Sequence, residues 1–531
     1  MKNYKYLFGV LVVFFALASC EDTLDLEPRG EQQLAADVLA DPATYEGLAA
    51  KVYAGLILGG QGGGDADADI AGIDGGFSNY LRLYWKHQEL SSDEALIAWD
   101  DGTIKDFQRH TWNDGSEFIR AMYSRISYQI ALANDFLKNS SEASLDANGV
   151  PSDARSEIRE YRNEVRFLRA YSYYHAMDLF GNFGFQDETT DPTVPGRLIT
   201  RSELFEYVES ELLAVEEVIA PARTNGYGRV DQGAVWMTLA KIYLNAEVYS
   251  GTPRYSDVIT YTTRVINAGY QVDVNAPYTN LFLADNNSNG SQNEFIWTLN
   301  FDGLRTQTFG GTTFLTHAPV GGNMNPNNFG INGGWFGIRT TPQFVELFPG
   351  EENSADGREQ FFTDDQTKAI ANEANFKQGY AIAKFKNVDV NGNPGSDTTG
   401  DFVDIDFPVF RLPDAYLMYA EAVLRGGGGS TTDAVAYINT LRQRAYGNTG
   451  SNIAINQLTL PFIIDERARE LYWETHRRQD LIRFGQFSTT KTWAWKGNVQ
   501  AGTTTPAFRD LYPIPAEQLN LNNNLIQNPG Y

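Results

Sequence analysis

Apolar positions recur every three to four residues through several long stretches of this chain, the spacing that lines one face of an α-helix. "SEFIRAMYSRISYQIALANDFL" (116–137) sets Phe118, Ile119, Met122, Ile126, Ile130 and Leu137 on such a stripe. "SEIREYRNEVRFLRAYSYYHAMDLFG" (156–181) predicts a second helix, opened by Ser156 as N-cap and stopped at Gly181. The same spacing predicts helices over 202–219 with Ser202 as cap, over 231–249, 255–269, 412–426 and 431–447, and one long final helix over 463–485. Helical patterning begins near Ala43.

These helices fall into four hairpin pairs, with small residues such as Ala240, Ala246, Ala420 and Ala422 where close packing needs them. Stacked pairs that each bury a face on the next resemble degenerate tetratricopeptide-like repeats, too irregular in length for a regular solenoid. Between 270 and 410 the periodicity stops. Gly, Asn and Thr dominate there, with short strand-like pieces such as "NEFIWTLNF" (293–301). Loops of that length are commonly functional. The predicted fold is therefore mainly α: a helical scaffold over about 40–270 and 410–490 that carries a loop-rich ligand region over about 270–410.

Composition narrows the partners. The 531 residues are 42% hydrophobic and 13% aromatic, enough for a large core, and carry a formal charge of −25. Such a surface repels phosphate backbones, which argues against nucleic acid and in favour of neutral ligands. The single cysteine, Cys20, follows a basic n-region (Lys2, Lys5) and a twelve-residue apolar run from Leu7 to Ala18. That run matches a signal-peptide core and is too short to span a bilayer. "LASC" (17–20) resembles a bacterial lipobox, in which the leader 1–19 is removed and the cysteine acylated, leaving a polar tether over 20–33. Anchoring then falls to lipid, because no later run has eighteen consecutive apolar residues. Glu21 and Asp22 behind the cysteine resemble a surface-export signal.

Several longer motifs share one resemblance. They are "LASCED" (17–22), "LDLEPRG" (24–30), "GGFSNYLRLYWKHQELSSDEALIAWDDG" (75–102), "VRFLRAYSYYHAMDLFGNFGF" (165–185), "FRLPDAYLMYAEAVLR" (410–425), "ERARELYWETHRRQDLIRFGQF" (466–487) and "LYPIPAEQLNLNNNLIQNPGY" (511–531). In this order and spacing the chain resembles the SusD/RagB family of outer-membrane glycan-binding lipoproteins over nearly its whole length. The resemblance implies a single domain over 34–531, built on four tetratricopeptide-like units. It also implies a cell-surface position on the outer membrane of a Gram-negative bacterium and a SusC-like TonB-dependent transporter as partner. It implies binding without catalysis and no cofactor, with oligosaccharides held on an arc of aromatic side chains.

An aromatic ring matches the C–H face of a pyranose by dispersion, while carboxylates and amides at the rim read the hydroxyls. Trp99 lies at a loop end, after "SSDEALIA" and before "DDG", and Trp335 lies among Gly330, Gly333, Gly334 and Gly337. These two are the expected glycan platforms, with Asp101, Asn323 and Asn325 as polar contacts. Trp493 and Trp495 in "TWAWKG" are candidates for a second patch or a transporter contact. Trp236, Trp297 and Trp473 fall in periodic runs and are expected in the core, and Trp85 and Trp112 pack in apolar patterning. A neutral glucan, starch or a laminarin-type β-glucan, suits stacking platforms best.

Two other classes compete. A glycoside hydrolase needs only two carboxylates, for which Asp93–Glu94 and Asp100–Asp101 are the candidates. A peptide-binding or scaffold protein would use the helical grooves instead. The scattered histidines 87, 110, 175, 317 and 476 form no zinc motif. Asp65, Asp67 and Asp69 open like a calcium loop, but Ile70 replaces its glycine and Gly76 its closing glutamate, so 59–76 is expected to be a solvated loop.

Overall fold

The computed structural model describes residues 35–531 apart from 65, 352 and 353; Cys20, the leader, the whole tether and Asp65 lie outside the described residues. Helix Ala43–Ala54 packs against helices Glu117–Asn139 and Arg155–Leu179, which pack on each other. The array continues through Arg201–Glu216, Gln232–Leu244, Tyr255–Asn267, Leu412–Leu424, Thr431–Tyr446 and Leu460–Leu471. Helix Tyr255–Asn267 lies directly against Leu412–Leu424 although more than a hundred residues separate them in sequence. The scaffold is thus continuous in space across the inserted loop region. Its core holds Met122, Ile126, Leu168, Leu239 and Met418, all fully buried.

The loop region is closed at its base by an antiparallel pair. Strand Phe295–Leu299 runs against Phe407–Arg411 and is buried along its whole length, Trp297 included. A second short ladder decides where the cleft forms. Leu96 pairs with Arg339 and Ile97 with Ile338, and the Ala98 N–H extends the pairing to the Gly337 carbonyl at 2.8 Å.

Helix boundaries depart from the sequence reading in several places, among them the predicted 231–249 helix, which is Gln232–Leu244 followed by Ala246–Ser250. The predicted 463–485 helix is two helices, Leu460–Leu471 and Arg477–Arg483. Between them Trp473 and Thr475 take φ of 63° and 69°. Two buried carboxylates replace the lost helical partners: Glu94 accepts the Trp473 N–H at 3.0 Å and Glu89 the His476 N–H at 2.9 Å. The second helix opens at Arg155 behind Ala154, so Ser156 is internal and not a cap. The third is capped by Thr200, not Ser202, in a reciprocal pair with Glu203.

The tryptophans sort largely as expected. Trp85, Trp112, Trp297 and Trp473 are buried. Trp236 is only half-buried, its indole N–H given to Glu216 at 2.8 Å. Trp493 is buried, which removes it from any surface patch. Trp495 is half-buried and donates to the Ile370 carbonyl at 3.1 Å.

Candidate functional site

Trp99 and Trp335 come together. The Leu96–Ile97 ladder carries Trp99 to the 335–338 segment, where the Trp99 indole N–H donates to the Trp335 carbonyl at 2.8 Å. Their ring centres are 6.3 Å apart, with planes inclined by 44°. Trp335 stacks on His317 at 4.8 Å and meets the edge of Phe309 at 6.1 Å. Backbone bonds hold that segment: the N–H groups of Trp335, Phe336 and Gly337 go to the carbonyls of His317, Val320 and Ala318.

The glycines around Trp335 therefore serve close approach. A Cβ at Gly334 would stand 2.0 Å from the Val320 carbonyl oxygen, and one at Gly337 would stand 2.5 Å from the Trp99 ring. Both rings remain half-buried and face a cleft of about 690 Å³. Asp74, Phe77, Arg82, Lys86, Asp101 and Phe309 are among the other residues that line it. The glycine-rich 59–76 loop, expected to be solvated, packs Gly64 against Phe309 and Phe402 and supplies Asp74 and Gly76 to this wall.

Arg82 sits behind the two indoles. Its guanidinium carbon is 4.5 Å from the Phe314 ring centre, 5.9 Å from Trp99 and 5.8 Å from Trp335. One terminal nitrogen donates to the carbonyls of Gly76 at 2.9 Å and Phe309 at 2.8 Å, while Nε has no partner. Burial lowers its pKa to about 10, against the pull of Asp101 and Asp74. Lys86 lies one turn on, fully buried, with its ammonium unpartnered at 4.1 Å from the Phe118 ring centre. Burial and then Arg82 hold it well below the usual lysine range. Neither cation was anticipated from the sequence. The signal was present as two basic residues four apart inside the otherwise apolar "YLRLYWK" (80–86).

The remaining predicted residues separate. Asp101 lines the cleft, whereas its neighbour Asp100 turns to Lys105 at 2.5 Å and lies outside the lining. Asn323 and Asn325 do not line it. Asn323 is exposed and donates to Asp364 at 3.3 Å; Asn325 caps the short 3-10 turn Pro326–Phe329. Asp93 and Glu94 are fully buried and committed. Asp93 binds Arg477 at 2.6 Å and Lys491 at 2.6 Å, and Glu94 holds the Trp473 backbone. Asp69 pairs with Lys51 at 2.7 Å. Among the described residues no group of three or more His, Cys, Asp or Glu side chains is placed to hold a metal, and no helix is long and apolar enough to cross a membrane.

A continuous helical array, a loop region clasped onto it and an open cleft faced by two inclined indoles together define a SusD-like architecture. The chain belongs to the SusD family. The family's model matches residues 352–531. The starch-binding protein SusD of Bacteroides thetaiotaomicron is 32% identical over 100% of this chain and 99% of its own length. The SusD-like protein P25 of Formosa agariphila is 26% identical over 79% of each chain. Among solved structures, surface glycan-binding protein A of Bacteroides thetaiotaomicron superposes with a TM-score of 0.70 at 20% identity, covering 93% of this chain and all of that one. The same protein in complex with laminarihexaose gives 0.68 at 18% identity, over 92% of this chain and 99% of that one.

Proposed function

We propose that this protein binds a neutral oligo- or polysaccharide at the cell surface, a glucan of the starch or laminarin type. It then passes the sugar to a SusC-like TonB-dependent transporter. The observation that carries this reading is the inclined Trp99–Trp335 pair over an open cleft. Two platforms at 44° suit a chain that turns between successive sugars better than a flat ribbon. Asp101, Asp74 and the Arg82 guanidinium supply acceptors and donors for hydroxyls beside the rings. The glucan class is supported by the relatives, one named for starch and one holding laminarihexaose.

Delivery, rather than retention, fits an open cleft with no enclosing lid among the described residues. Lipidation at Cys20 would hold the protein at the outer membrane. The chemistry required is adhesion, so no cofactor is invoked. The carboxylates of Asp93 and Glu94 are spent on the core, which leaves Asp74 and Asp101 as the acids a hydrolase would have to use.

Calorimetry against soluble starch, laminarin and xylan oligosaccharides tests the reading. Binding to one glucan, unchanged reducing ends after prolonged incubation, and at least about a tenfold loss in Trp99→Ala and in Trp335→Ala are the expected results. Binding that survives both substitutions would move the site elsewhere, and new reducing ends would restore the enzyme reading. Loss of fatty-acid labelling in Cys20→Ala tests the anchor.

A further inference from the structure

The residue after Trp335 is as unusual as Trp335 itself. Phe336 is the exposed phenylalanine among the described residues, with 52% of its surface open to solvent, and its φ is +52°. A bulky residue in the left-handed region is a backbone outlier, and such strain persists only where surrounding bonds enforce it. Here they do: the Phe336 N–H is fixed to the Val320 carbonyl at 3.1 Å, between the anchored N–H groups of Trp335 and Gly337. The conformation sends neighbouring rings to different places. Trp335 goes to His317 and the cleft, whereas Phe336 lies over Gly321, where a Cβ would stand 2.6 Å from its ring.

That second ring is not alone. Phe376 meets it edge-on, with centres 5.5 Å apart and planes at 64°, and packs on the same glycine. Two residues beyond Gly321 stands the exposed Asn323, bonded to the equally exposed Asp364. An anchored aromatic face two residues along the chain from an amide–carboxylate pair parallels the cleft, where rings share a lining with Asp74 and Asp101, on the other side of one peptide unit, with successive Cα atoms about 3.8 Å apart. Folding alone would place a polar residue or glycine at an exposed position with positive φ.

We infer that Phe336, backed by Phe376 and rimmed by Asn323 and Asp364, is a second sugar platform. It would engage the part of a long glycan that leaves the Trp99–Trp335 cleft. The inference rests on the glycan reading above and adds a length requirement to it: short oligosaccharides fill the cleft alone, and the polymer uses both faces. The partner is thus a further stretch of the same neutral chain. The two faces act as linked sites, where engaging the second strengthens overall binding without altering the first.

The test compares a tetrasaccharide with the soluble polymer of the same linkage, on the wild type, Phe336→Ala, Phe336→Trp and Asn323→Ala. Phe336→Ala should keep the tetrasaccharide affinity, which reports an intact Trp335 segment, and lose about three- to tenfold for the polymer. Phe336→Trp should restore the polymer affinity, and Asn323→Ala should lower it by a smaller factor. Equal affinities of wild type and Phe336→Ala for both ligands would overturn the second platform and leave the glycan reading standing. Equal losses on both ligands would overturn it too, since the ring would then act only by holding Trp335. Polymer affinity intact but transporter-dependent uptake lost would reassign Phe336 to a protein contact. If the wild type binds neither ligand, the glycan reading itself fails.

Discussion

The cleft and the interior ion network use the same residue types to opposite ends. Beneath the loop region, Arg358 binds Asp356 at 2.6 Å, Glu466 at 2.9 Å and Glu470 at 3.2 Å. Arg411 binds Glu470 at 2.5 Å, Glu474 at 2.6 Å and Glu294 at 3.1 Å, and Arg444 reaches both Glu470 and Glu294. Lys384 closes on Glu474 at 2.7 Å. Every member is buried, and charge is matched locally. Glu294, Asp356, Arg358 and Lys384 come from the loop region, and Arg444, Glu466, Glu470 and Glu474 from the C-terminal part of the chain, so the network pins one to the other. At the cleft, by contrast, Arg82 donates only to backbone carbonyls, the Lys86 ammonium has no partner and Asp101 faces solvent, whereas in the network even Arg444, whose Nε is unpartnered, is held by two carboxylates. Satisfied charge fixes position, and unsatisfied polar capacity is what a ligand completes.

The largest effect should come from breaking the network at its hub. Glu470→Ala takes one carboxylate from each of Arg358, Arg411 and Arg444 at once, and should cost about 3–5 kcal/mol in urea unfolding. Acid attacks the same region more gently. Burial pushes the Glu466 carboxyl up, but Arg358, Arg469 and Arg442 together outweigh it and hold the pKa at about 2, below the usual 4.5. A depressed carboxylate stabilises the fold above its unfolded pKa and loses that contribution as pH falls through the folded one. The acid limb between about pH 4.5 and 2 should therefore carry roughly 3 kcal/mol from this group, and Glu466→Gln should flatten it. Unfolding midpoints measured across that range check the slope.

Gly337→Ala sharpens the contrast from the other side. Its Cβ would press on the Trp99 ring, so stability should fall by about 1–3 kcal/mol and glycan affinity should fall with it. Asp101→Asn should give the smallest change. The exposed side chain should leave the unfolding midpoint within about 0.5 kcal/mol while weakening glucan binding a few-fold by calorimetry. A Glu470 variant that folds normally, or an Asp101 variant that unfolds early, would erase the distinction between the two regions.

The scaffold was legible because helical periodicity is a local signal that burial enforces, as Phe118 to Leu137 illustrate. The indoles of the cleft were legible from chemistry and context, since a tryptophan at a loop end has few structural uses. The 463–485 break was not. It depends on Glu89 and Glu94, nearly four hundred residues upstream, taking backbone N–H groups that the local pattern assigns to a helix. Asn323 and Asn325 were grouped with Trp335 by nearness in sequence, yet the turn at 321–325 carries them away from the cleft. Arg82 and Lys86 were hidden because a cation within an apolar helix reads as an edge residue until its surroundings are known. Trp493 looked displayed only because its short segment has no periodicity to report burial.

The clasp of Phe295–Leu299 on Phe407–Arg411 brings the entrance and exit of the loop region side by side, while helix Tyr255–Asn267 meets Leu412–Leu424 beneath it. Relatives could therefore lengthen, shorten or rewrite the intervening hundred residues without altering the register of a single scaffold helix. The entropic penalty for doubling such a loop is only about 0.6 kcal/mol. In evolutionary terms the helices are a chassis, and the wall of the cleft that carries Phe309 and Trp335 is a replaceable part set against the fixed wall of Arg82 and Trp99.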